Sequence, residues 1–417
     1  MLETGDSGRD LVSFALPESG GLVETSDPAR PYVLLDADGA VVGPVDVYFA
    51  ELQACGRPAT TIRSYGMDLL RWWRFLSGWE VAWNRASRAD ARDFARWMAI
   101  APKPVRVHWR RRARGDTSPL PVRRSSAGVP NAVTGRAAPG LTYSVRTRGH
   151  CETVLRSFYA FHLEEGTGPI INPFPAGRNR RRAPGSPSPS TSGGGQYRPT
   201  IPRRLPRRIP DARFNELFAA LRHNRDRALL AFWASNGARA EELLTSLQRD
   251  ALPGDQLLGV IRKGTKEYQQ LPSSTDAFVW LRLYQEEARR SGVPQGPREK
   301  LWWTLRRPFR PLAYHAARAM LNRANALLGA NWTLHDLRHT AAYRMARDPK
   351  LALTDVQWVL GHAHLTTTQI YLPAGREEVV EAVLAHHERQ TRSARLPAVP
   401  APGYRPESLN ELFGTAW

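Results

Sequence analysis

Thr333-Leu334-His335-Asp336-Leu337-Arg338-His339-Thr340-Ala341-Ala342 and, further on, Leu353-Thr354-Asp355-Val356-Gln357-Trp358-Val359-Leu360-Gly361-His362 read as two helices. Thr333 with Asp336 forms a capping box, so His335 and Arg338 fall in the first turns, three apart on one face. The positive end of such a helix favours an anion. Thr354 with Gln357 predicts a second box, and Gly361 a C-terminal stop from which His362 emerges. Thr366 with Gln369 predicts a third box opening a short helix, with Tyr371 in its first turns. His-x-x-Arg alone says little: it recurs at His108/Arg111, His315/Arg318 and His386/Arg389 in a chain with 54 Arg. Only the pair at 335 and 338 has this setting.

Upstream, Asn236-Gly237-Ala238-Arg239-Ala240-Glu241-Glu242-Leu243-Leu244 places Arg239 at a helix start, with Glu242 facing it one turn on. Gln256–Ile261 and Gln269–Leu271 flank Arg262-Lys263-Gly264-Thr265-Lys266, a hairpin with a lysine tip. The region 210–388 therefore reads as one mostly helical domain with a small antiparallel sheet.

Residues 44–175 read as a second, helical domain. Tyr48, Leu52, Ile62, Tyr65, Leu69, Trp72, Trp73 and Leu76 recur at three- and four-residue spacings. Thr60 or Thr61 is the expected cap of the second helix, and Ser87 with Asp90 a capping box for the third. Val154, Leu155, Phe158 and Phe161 form one apolar stripe, and Trp72, Trp73 and Trp79 read as core. Residues 1–43 look like a peripheral extension, with a small hairpin over Tyr32–Val42 turning at Asp38-Gly39. A basic insertion spans about 103–140. An Arg/Pro/Ser/Gly-rich linker, 176–209, joins the two domains, and a Pro-rich tail, 389–417, ends in a short amphipathic helix at 406–413.

The chain has 417 residues, a net charge of +20 and a 42% hydrophobic content, so it builds real cores and seeks a polyanion. The charge is concentrated: residues 103–148 hold 11 Lys and Arg against one acid, and residues 176–210 hold nine Arg and no acid. Such stretches suit phosphate contacts whose strength falls with salt. Two cysteines, Cys55 and Cys151, exclude a disulfide framework and a Cys-rich zinc site. His335 with His339, and His362 with His364, lack further ligands at zinc spacing. No run approaches the ~18 apolar residues of a membrane span, and Met1-Leu2-Glu3-Thr4-Gly5-Asp6 lacks a signal-peptide layout. A cytoplasmic, nucleoid-associated protein without membrane contact is expected.

From about 210 to 385 the chain resembles the tyrosine recombinase (phage integrase) family. Gly237–Leu243 is similar to its first motif; Leu334–Ala342 and Leu360–Tyr371, with nine residues from His362 to Tyr371, are similar to its second. The region 44–175 resembles the family's helical core-binding domain, through Thr61-Ile62-Arg63-Ser64-Tyr65-Gly66 and Asn172-Pro173. The insertion 103–140 has no counterpart in that pattern. The resemblance implies a mainly α fold and a reaction in which DNA strands are cut and rejoined through a covalent 3′-phosphotyrosine.

The residue types suit that chemistry. Tyr371 would be the nucleophile, its phenol needing a base and a positive field. Arg239 and Arg338 would carry the extra charge of the pentacoordinate phosphorus. His335 would accept or return the tyrosine proton, and His362 would bond a phosphate oxygen. The resemblance implies that a hairpin lysine protonates the departing 5′-oxygen, Lys263 first and Lys266 as the alternative. No cofactor or metal is expected: the chain has no Gly-x-x-x-x-Gly-Lys-Ser/Thr loop and no acidic cluster for Mg²⁺. The partners implied are double-stranded DNA and further copies of the chain, a tetramer on two DNA sites, with accessory DNA-bending or partner recombinase proteins. The same residues would also serve a type IB topoisomerase-like relaxase, told apart by relaxation anywhere rather than joining between two sites. A catalytically silent DNA-binding accessory protein is the reading from another class; the competent residues at all six site positions argue against it.

Overall fold

The computed structural model describes residues 8–104, 127–177, 195–201, 206–371 and 376–393, with isolated positions between 405 and 411. Most of the basic insertion, most of the linker and the helix expected at 406–413 lie outside the described residues. The chain divides into two compact units, 1–131 with 135–203, and 132–134 with 204–417. Among the described residues no helix is long and apolar enough to cross a membrane.

Among the described residues the first unit packs four α-helices, α1 Gly43–Ala54, α2 Ala59–Gly78, α3 Arg88–Ile100 and α4 Val145–Glu164. Their apolar stripes meet in an aromatic core in which Trp72, Phe75, Phe158 and Tyr159 are wholly buried. The one polar handle at its centre is satisfied, because the Trp72 indole donates to the Tyr159 hydroxyl at 2.8 Å. Ser87 and Asp90 form the expected capping box of α3. The second helix differs: Pro58 precedes it, with a fixed φ of −66°, and no side chain caps it. Helix α2 begins at Ala59, so Thr60 and Thr61 are already helical and cannot cap.

Residues 8–42 belong to this core. Strand β1 Gly21–Glu24 pairs antiparallel with β2 Tyr32–Leu35, and Leu34 and Val42 are buried among the helices. The turn at Asp38-Gly39 forms, with Gly39 at φ +79°, but only Leu35 and Val41 bridge across it. The main partner of 32–35 is upstream.

Both low-complexity stretches begin and end in a β-bridge. Pro102 bridges Thr142, with the Lys103 N–H donating to Leu141 O at 2.8 Å. Ala176 bridges Gly195, with the Gln196 N–H donating to Pro175 O at 3.0 Å. The Tyr197 hydroxyl then donates to Arg88 O. The residues on either side of 178–194, within the segment read as an interdomain linker, therefore meet on the first unit.

The second unit is built on α5 Asp211–Ala220, α6 Asn224–Asn236, α7 Ala240–Thr245, α8 Thr275–Ser291, α9 Tyr314–Leu327 and α10 Leu334–Ala346. Helix α6 is apolar along its middle, 228–234 (Leu229, Leu230, Phe232 and Trp233 are fully buried), as befits a helix packed between α8 and α10. A three-stranded antiparallel sheet, β3 Ala251–Leu252, β4 Leu257–Ile261 and β5 Tyr268–Pro272, contains the expected hairpin with Ile261 opposite Tyr268; β3 is an addition. The unit closes with α11 Leu353–Leu360, α12 Leu365–Gln369 and α13 Arg376–Ser393.

Of the three expected capping boxes here, one forms. Thr333 accepts from the Asp336 N–H, and Asp336 accepts from the Thr333 N–H at 2.7 Å. Helices α11 and α12 instead start two residues earlier, after Ala352 and His364, without side-chain caps. Tyr371 lies two residues beyond the end of α12, where a first-turn position was expected.

Candidate active site

The site grows from helix ends. Gly237 closes α6 in the left-handed conformation (φ +63°), and Arg239 then stands at the N-cap of α7. Glu242, one turn on and 1% exposed, folds back on it: its carboxylate accepts from the Arg239 N–H at 2.9 Å and from the Arg239 guanidinium at 2.8 Å. The same carboxylate takes the Arg262 guanidinium at 3.1 Å and the Lys263 backbone N–H at 3.0 Å. Burial alone would raise the Glu242 pKa, but these donors outweigh it and hold the pKa below the usual carboxylate range.

Arg338 reaches in from α10, buried, and spans two helix ends, donating to Gly237 O at 2.7 Å and Leu360 O at 2.6 Å. Arg239 also donates to Gly361 O at 3.3 Å. Both guanidiniums thus use the carbonyls that helix ends leave open. Burial, then the charge of Arg239, pushes the Arg338 pKa down to about 10, so it stays charged at neutral pH. Arg262, at the base of the hairpin, donates to Gln269 Oε1 at 2.6 Å and to the carbonyls of Trp358 and Val359, tying the hairpin to α11.

Gly361 ends α11 at φ +60° and delivers His362 to the cluster. Gln357, expected in a capping box, serves this corner instead, together with Thr368. Gln357 donates to His362 O at 2.9 Å, and Thr368 Oγ1 lies 2.9 Å from His362 Nδ1. Burial, with the charges of Arg338 and Arg239, pushes the His362 pKa down to about 4.

Tyr371 is 4% exposed and packs on Ala342, Val356 and Leu360. Its ring stacks on His362 (6.4 Å between centroids, 9° between planes), and its hydroxyl lies 2.6 Å from His339 Nδ1. Burial raises its pKa while Arg338 lowers it. His339 follows His335 by one turn on α10, with the two rings 4.2 Å apart.

Arg239, His335, Arg338, His362 and Tyr371 are therefore brought together. Lys263 joins through its backbone, while its ammonium lies 2.9 Å from Glu241 and the side chain is 61% exposed. Lys266 is exposed, in the left-handed conformation (φ +63°). Arg262 and His339 are the members that the sequence pattern did not single out. His339 shares a face with His335 at i,i+4, a signal available beforehand; Arg262 has none beyond its place at a strand end. Among the described residues no three His, Cys, Asp or Glu are grouped to hold a metal ion.

Residues 207–378 match the phage integrase family, and residues 45–106 match the phage integrase N-terminal SAM-like domain. The chain is 29% identical over 267 residues to the tyrosine recombinase XerD of Xanthomonas campestris, covering 59% of this chain and 73% of that protein. It is 29% identical over 198 residues to XerD of Pseudomonas aeruginosa, covering 46% and 65%. Among solved structures, the XerH site-specific recombinase bound to its palindromic difH substrate aligns with a TM-score of 0.52 at 14% identity, over 82% of this chain and 84% of that one. The Tn1549 transposon integrase in complex with transposon right end DNA aligns with a TM-score of 0.52 at 13% identity, over 82% and 98%. With both of its regions matched in order, the chain belongs to the phage integrase family of tyrosine recombinases, enzymes that cleave and rejoin DNA.

Proposed function

We propose that this chain exchanges strands between two DNA sites through a covalent 3′-phosphotyrosine on Tyr371, in the integration, excision or transposition of a mobile element. The observation that carries the reading is the charge balance of the site. Three guanidiniums, Arg239, Arg262 and Arg338, gather near one carboxylate, Glu242, which pairs with the first two, beside a buried phenol. Such a surplus is what a phosphoryl group gaining charge needs, held ready so that nothing must reorganise during the reaction. Arg239 and Arg338 would each grip phosphate oxygens and His362 would bond another, while the motif spacing assigns His335 to accept or return the tyrosine proton. Lys263 would leave Glu241 to protonate the 5′-oxygen as the P–O bond breaks, with Lys266 as the alternative acid. The chemistry conserves the energy of the broken bond and calls for no cofactor.

Double-stranded DNA is the substrate, the chain's +20 charge supplying non-specific attraction. Relatives of this fold are described on DNA, among them a λ integrase dimer on a core site, which supports a homo-oligomer, a tetramer across two sites. Accessory proteins would assist by bending DNA, and the setting is the cytoplasm. The test is covalent capture. Wild-type protein incubated with a randomised pool of nicked duplexes should yield an adduct stable to denaturant, and Tyr371→Phe should bind the recovered duplex equally while giving none. An adduct from Tyr371→Phe at the wild-type rate overturns the assignment.

A further inference from the structure

A phenol of ordinary acidity is a poor nucleophile at neutral pH, and burial makes this one poorer. It therefore needs a proton acceptor at hydrogen-bonding distance. The motif spacing gives that task to His335, but the geometry points one turn further along α10. His339 Nδ1 lies 2.6 Å from the Tyr371 hydroxyl, whereas His335 makes a ring contact with His339.

We propose that His339 is a catalytic residue of strand cleavage: its Nδ1 holds the Tyr371 hydroxyl and takes the phenolic proton as the oxygen bonds to phosphorus. This rests on the recombinase reading above. The proton moves from Tyr371 to Nδ1, the O–P bond forms, the P–O5′ bond breaks, and the 5′-oxygen takes its proton from the hairpin lysine. On rejoining, the imidazolium returns its proton to the released phenolate.

The surroundings suit an acceptor. The titratable groups facing His339 are His335, Asp336 and Arg338 on its own helix, with His362 and Tyr371 opposite. Burial first, then His335, pushes its pKa down to about 4, so the ring is neutral and its lone pair free across the physiological range. That acidity makes it a weak base in the resting site, but an incoming phosphate brings negative charge beside Arg338 and His362 and raises its basicity as attack begins.

The experiment uses the full chain and the duplex recovered by covalent capture on the wild type. His339→Asn keeps a hydrogen-bonding atom near the Nδ1 position but cannot take a proton. Its cleavage rate should fall about 100-fold or more, with DNA binding and thermal unfolding near wild type. Replacing Tyr371 by a fluorinated tyrosine that ionises near neutrality removes the need for a base, so the deficit should shrink to less than tenfold. A purely structural role for His339 would leave the deficit unchanged, and that result, or a cleavage rate for His339→Asn within threefold of wild type, overturns the proposal. If the wild type itself forms no adduct, the recombinase reading fails first and takes this inference with it, before any substitution at 339.

Discussion

Glu152 and Glu242 are both buried carboxyls, 5% and 1% exposed, one in each unit, and their surroundings drive them in opposite directions. On α4, neither oxygen of Glu152 has a hydrogen-bond partner among the described residues. Gly195 lies over it so closely that a Cβ there would come within 1.2 Å of Oε1. Burial raises its pKa, only partly offset by Arg156 and Arg198. Glu242 is more deeply buried, yet it takes four hydrogen bonds from Arg239, Arg262 and Lys263 and is held low. Burial sets the penalty for a charge; the donors decide whether the charge stays. The first unit pushes its awkward group toward the neutral form, whereas the second holds its carboxylate toward the charged form and still carries surplus positive charge around it.

Removing the embraced carboxylate should do the greatest damage. Glu242→Gln leaves Arg262 buried without its counter-ion and should cost about 3–5 kcal/mol in denaturant unfolding, with covalent capture down at least 100-fold in the folded fraction. An effect below about 1 kcal/mol would mean that the cluster is not the electrostatic centre described here.

Acid should separate the two regions next. A carboxyl with a lowered pKa, such as Glu242, stabilises the fold above its unfolded value of about 4.3, and that stability is lost as pH falls through the folded value. Glu152, raised, does the reverse: its contribution is present at low pH and lost as pH rises through its folded value. His339 and His362, both pushed down to about 4 against about 6.5 unfolded, disfavour protonation in the fold. Stability should therefore fall as pH drops from about 6.5 toward 4. Melting curves of the His339→Asn, His362→Asn double variant should lose most of that slope; an unchanged slope places the acid sensitivity elsewhere.

The gentlest intervention is on the orphaned group. Glu152→Met removes an unpartnered polar head at similar volume and should stabilise by about 1 kcal/mol, leaving covalent capture unchanged. A loss of more than 1 kcal/mol would show that Glu152 has a partner.

Much of this was legible beforehand because it is local chemistry. The Thr333–Asp336 box, the Gly361 stop and the Arg239–Glu242 turn need only neighbours in sequence, and all three form. What failed was set by tertiary contact. Gln357 looks like a capping partner in isolation, but it bonds the His362 carbonyl instead. Which imidazole meets the phenol depends on Tyr371 lying past the end of α12, and no spacing rule encodes that. The strand at 32–35 takes its partner from 21–24 because the helical core, and not the turn, selects it.

The bridges Pro102–Thr142 and Ala176–Gly195 have a practical corollary. A segment stapled at its base can grow or shrink with little effect on the helices it leaves and rejoins, because closing a loop twice as long costs only about 0.6 kcal/mol more. The stretch between Ala176 and Gly195 is therefore a natural port for grafting a tag or reporter.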